Sequence, residues 1–143
     1  MAADRTAHVT WSGSLMEGSG TITSVESGAF GPLDVTWAAR TEDSDGLTSP
    51  EELIAAAHAA CFSMALSHGL AQGGTPAERL DTSATVTFVP GTGITKVALS
   101  VRGTVPGIEE PAFLHAAQEA KENCPVSKAL ASVPEITVEA SLA

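Results

Sequence analysis

Basic residues are scarce in this chain. Its 143 residues include 7 Lys and Arg against 17 Asp and Glu, a net charge of -10 at pH 7. The few cations are scattered, so there is no basic stripe to neutralise phosphates, and nucleic-acid binding is not expected. An anionic membrane surface repels the same charge balance. No stretch approaches the roughly 20 apolar residues expected of a bilayer span. The opening MAADRTAHVT lacks an apolar signal core and carries Asp4, which makes the cytoplasm the expected compartment. Cysteine is limited to Cys61 and Cys124. Cytosolic thiols are kept reduced, so a permanent staple is not expected, whereas a transient working disulfide is allowed. With two cysteines, only one intramolecular pairing exists.

What is present describes a globular chain: 43% hydrophobic and 17% charged residues. The length favours a single domain over residues 1–143 with a real core. Alternation predicts a meander of three strands, His8–Leu15, Gly20–Ser27 and Gly31–Arg40, separated by Gly and Ser clusters. An acidic, turn-rich loop follows over Thr41–Ser49. A helix then starts sharply, with Ser49 as N-cap, Pro50 at the first helical position and Glu52 completing a capping box. It runs to about Gln72, before Gly73-Gly74 and Pro76. It is apolar nearly all round, the profile of a helix packed on most sides. Strands over Leu80–Val89 and Ile94–Val105, a helix over Pro111–Asn123, a short helix opened by Pro125 and a last strand over Glu135–Leu142 complete the chain. The order βββ-α-ββ-αα-β is that of an α+β fold, with antiparallel β-sheets packed on a long buried central helix.

The candidate chemistry centres on the two thiols. A free thiol with pKa about 8.5 is only a few per cent thiolate at pH 7, and burial opposes ionisation further. A working Cys61 therefore needs a cationic neighbour and a polar opening. At about 100° per residue, Ile54, His58, Cys61, Ala65 and His68 share one stripe of the helix. That stripe is unusually polar; the bland reading, preferred for His68, is an imidazole hydrogen-bonded at a core edge. Cys124 precedes Pro125 at a helix start, where unpaired N–H groups favour an anion. Local electrostatics thus point to Cys124 as the more easily ionised thiol, and the residues alone do not say which sulfur attacks. His58 and Cys61 could also begin a metal site with Cys124 and His115, but no paired-ligand spacing supports it. Such a metal- or ligand-binding module is the alternative to an enzyme. Glu51 and Glu52 suit a first helical turn by charge alone, and Arg40 reads as a strand-end charge.

Ser49–Ser67, "SPEELIAAAHAACFSMALS", together with Ala120–Leu130, "AKENCPVSKAL", resembles the OsmC/Ohr family of osmotically inducible and organic-hydroperoxide-resistance proteins. The likeness extends over nearly the whole chain, and "AAHAACF" is closer to the OsmC branch. The resemblance implies a cysteine-based peroxidase acting on organic hydroperoxides. In it Cys61 attacks the peroxide and Cys124 resolves the sulfenic acid as a disulfide. It implies that Arg40 is the catalytic arginine and that Glu51 pairs with it. It also implies an intertwined homodimer and an external dithiol reductant, possibly a lipoyl protein. No metal, haem or flavin is required. Glu51 lies ten residues before Cys61 on one helix, about 15 Å along its axis. The simplest arrangement therefore joins Cys61 and Cys124 of one subunit to Arg40 and Glu51 of the other.

Overall fold

The computed structural model describes residues 1–143, which form two compact units, Met1–Leu53 and Ile54–Ala143. The first unit is a three-stranded antiparallel sheet in the order β1-β2-β3, with β1 at Ala7–Ser12, β2 at Ser19–Val25 and β3 at Leu33–Val35. Its third strand is far shorter than alternation predicts. Thr36 ends it by turning its hydroxyl onto the Ala39 N–H at 3.0 Å, which caps a short helix, α1, at Trp37–Thr41. Arg40 therefore sits on a helix and not at a strand end.

The long helix α2 occupies Pro50–Gln72. Ser49 Oγ accepts from the Glu52 N–H at 3.1 Å, but the Glu52 carboxylate takes the Thr48 hydroxyl at 2.9 Å, so only half of the expected capping box forms. α2 does have the length and composition of a membrane-crossing helix, which corrects the reading that no segment approaches one. Its burial is one-sided. His58, Phe62, Leu66 and Leu70, spaced four apart, are buried, while Ala57, Ala60 and Met64 are exposed in the single chain. Packing on most sides, expected from the all-round apolar profile, is not what one chain provides.

In the second unit, β4 (Arg79–Val89) and β5 (Gly93–Thr104) pair antiparallel. β6 (Glu135–Leu142) pairs parallel to β5, so this sheet is mixed and not purely antiparallel. A parallel neighbour needs a crossover. Here it is made by α3 (Glu110–Asn123) and α4 (Pro125–Ala129). Phe62, Leu66 and Leu70 of α2 share a core with Leu99 and Val101 of β5 and with Phe113, Ala117 and Ala120 of α3. Gly103 on β5 is what lets α3 approach: a Cβ there would lie 2.7 Å from Cζ of Phe113. The same cluster includes Cys124, so the core fixes where that thiol stands.

Candidate functional site

Cys61 and Cys124 meet. The two thiols are in hydrogen-bond contact, and the Val126 backbone N–H also donates to Cys61. Neither is in a disulfide. Cys61 is partly exposed and Cys124 has no exposure at all. Cys124 is held by backbone on both sides of the α3–α4 junction. Its N–H donates to Ala120 O at 2.9 Å, and its carbonyl accepts from Lys128 N at 3.0 Å. The helix start after Pro125 does carry a free donor, but that donor, Val126 N–H, serves Cys61.

Burial pushes the Cys61 thiol above its ordinary value, and the Cys124 thiol adds to the rise, while the Val126 N–H works against it. A hydrogen bond donated to sulfur stabilises the thiolate more than the thiol, which accounts for the sign of that last effect. Phe62 and Leu66 are core residues with no exposure. Met64, 75% exposed, is the large apolar side chain available beside Cys61.

Arg40 and Glu51 form an ion pair within the first unit. Arg40 Nε lies 3.0 and 3.1 Å from the two Glu51 oxygens, and Nη2 lies 2.7 Å from Oε1. Glu51 is almost fully buried, with 8% of its side chain exposed, against 29% for Arg40. The guanidinium also lies 5.8 Å from the Trp37 ring centroid, within cation–π range. A fork with two donors on one carboxylate is the strong geometry for such a pair. Local reading of the sequence offers Glu51 as a helix-dipole residue, and the family resemblance implies its pairing with Arg40. Its burial and the forked geometry are what the structure adds.

His58 is fully buried, with Nε2 2.7 Å from Ser127 Oγ and Nδ1 without a partner. Burial holds its pKa below the usual 6.5. The spacing is that of a nucleophile and its base, but a fully enclosed pair gives a substrate no access. His68 is exposed and lines clefts on the α2 surface, so it is not the core-edge imidazole expected. His115 pairs with Glu119 on the outer face of α3 at 3.3 Å, and no three His, Cys, Asp or Glu side chains converge for a metal ion.

The neutral His58 links stability to pH. Its folded pKa is depressed, so the unfolded chain binds a proton first as pH falls below about 6.5. The contribution is fully present above that value and is lost as pH drops toward the folded pKa. Thermal unfolding from pH 8 to 5 should show a Tm decrease in the wild type that is smaller in His58→Gln. Parallel curves for the two proteins would remove His58 as a source of the effect.

A family model described as OsmC-like protein matches residues 42–139. The chain is 44% identical over 135 residues to Peroxiredoxin OsmC of Escherichia coli (strain K12), covering 92% of each sequence. Among solved structures it resembles a putative organic hydroperoxide resistance protein from Vibrio cholerae that has captopril bound in one of its active sites. That likeness has a TM-score of 0.69 at 25% identity, over 99% of this chain and 94% of the other. An organic hydroperoxide resistance protein OsmC from Legionella pneumophila shares the fold with a TM-score of 0.67 at 24% identity, over 96% of both chains.

Proposed function

The chain belongs to the OsmC-like protein family, and on that premise we propose that it is a cytoplasmic thiol peroxidase reducing organic hydroperoxides to alcohols. The contact between a partly exposed Cys61 and a sealed Cys124 carries this reading. The peroxiredoxin name of a relative 44% identical over 92% of the chain supports it. The Cys61 thiolate attacks the O–O bond, the alcohol leaves, and Cys61 becomes a sulfenic acid. Cys124 condenses with it, releasing water and forming the Cys61–Cys124 disulfide. An external dithiol, of the dihydrolipoyl kind, restores both thiols by exchange.

Burial alone keeps Cys61 protonated, so the mechanism needs a cation at the sulfur. We assign that role to Arg40, held by Glu51, and place both on the second subunit of a homodimer. Two features of the single chain support dimerisation. The first unit holds only Ile22 and Ala39 as buried apolar residues, with Val9, Trp11, Leu15, Met16 and Phe30 exposed. A unit of that size with so little core needs another surface to cover it. The exposed Ala57, Ala60 and Met64 face of α2 has the same need.

Titration with tert-butyl hydroperoxide followed by intact mass tests the cycle. The expected result is loss of two hydrogens from the wild type and no such loss in Cys61→Ser. Unchanged mass with both thiols free would end the peroxidase reading. An alkyl tail against the apolar surface beside Cys61 also sets a preference. Burying about 60 Å² at about 25 cal/mol per Å² gives about tenfold in affinity. Cumene hydroperoxide should exceed hydrogen peroxide in kcat/KM by at least that factor, and equal values would remove the organic specificity.

A further inference from the structure

Two rungs join α2 to the start of α4. His58 and Cys61 stand three apart on α2, and Cys124 and Ser127 stand three apart across the α4 start. Residues at that spacing lie on one helix face. Cys61 faces Cys124 on one rung, and His58 Nε2 meets Ser127 Oγ at 2.7 Å on the other. The second rung is the deeper: His58 is 0% exposed and Ser127 8%. α4 is only five residues, Pro125–Ala129, and its Cys124 N-cap makes no side-chain cap hydrogen bond. Such a short element has little of its own to hold it in place. The His58–Ser127 bond spans 69 residues and ties it to the long helix beside the thiols.

Resting on the peroxidase reading, we infer that His58 and Ser127 are positioning residues for the resolving step. They hold the α4 turn so that Cys124 approaches the oxidised Cys61 in line. In that step the Cys124 sulfur attacks the sulfenic sulfur. The S–S bond forms, the S–O bond breaks, and the departing hydroxide takes the Cys124 proton as water. The sulfurs must close from hydrogen-bond contact to about 2 Å. Bond formation of this kind is sharply sensitive to placement, with about a hundredfold lost per ångström of error. Peroxide attack by Cys61 needs no such approach by Cys124. The unpartnered Nδ1 of His58 fits the role. The imidazole is fixed by one side-chain bond, to Ser127.

Ser127→Ala removes the bond with minimal change of volume, and His58→Phe removes it from the other side. Rapid-mixing of reduced full-length protein with cumene hydroperoxide reads both steps. Dimedone trapping counts sulfenic acid, and non-reducing mass counts disulfide. In both variants the expected result is peroxide attack within about threefold of wild type, with disulfide formation slowed about tenfold or more. Trapped sulfenic acid should accumulate, and the double variant should be no slower than either single one. Wild-type disulfide rates in Ser127→Ala would overturn the inference, as would an equal fall of both steps. Failure of the wild type to give either species would instead refute the peroxidase reading, and this role with it.

Discussion

Cys61→Ser should abolish hydroperoxide consumption, by at least about a thousandfold, because no other group in the proposed cycle attacks the O–O bond. Cys124→Ser should behave differently. Its first turnover should proceed, leaving Cys61 as a sulfenic acid that excess peroxide drives to the irreversible sulfinic form. Steady-state activity with a dithiol should then fall and decay with successive turnovers. A coupled hydroperoxide assay with intact mass at each time point separates the two cases. Equal residual activity in the two variants would mean that the thiols do not have distinct roles. The difference in burial is the physical basis of the expected asymmetry: Cys61 is partly open and Cys124 is closed.

Arg40→Ala has the second large effect, and it acts on two measurements. Catalysis should fall by about 10²–10³, the usual loss when one stabilising donor is taken from developing negative charge. Stability should fall as well. Glu51, with 8% of its side chain exposed, would lose the fork that now satisfies both its oxygens. Breaking a buried pair from one side costs about 3 kcal/mol or more. Adding Glu51→Gln to Arg40→Ala should recover part of that stability without recovering activity. If thermal unfolding of Arg40→Ala matches the wild type, the pair has no structural role. Sharing between subunits is tested with mixed dimers, one chain carrying Cys61→Ser and the other Arg40→Ala. Such dimers should keep one intact site, and complete inactivity would count against sharing.

The regular elements were readable wherever the signal is local. β4 alternates along its whole length, and Ser49-Pro50 marks the start of α2 within a residue. Failures came where distant partners decide. Val35, Thr36 and Trp37 are strand-forming types, so the run to Arg40 reads as strand, although the Thr36 hydroxyl caps a helix. The Thr before a small helical turn was the available signal. The parallel setting of β6 depends on pairing across a helical crossover, which alternation cannot encode. At the site, the two thiols stood out because cysteine is rare here. The order of attack proposed for them rests on family resemblance, since local charge alone points to Cys124. Ser127 carried no local mark: its partner His58 is 69 positions away.

In the proposed cycle, the unequal exposure of the two sulfurs also sets the regiochemistry of recycling. An incoming thiolate would reach the Cys61 end of the proposed S–S bond, with Cys124 as the leaving group. The transient adduct with the electron donor would then form on Cys61. A small, deeply penetrating monothiol gains little over a larger donor with an exposed, swinging dithiol arm.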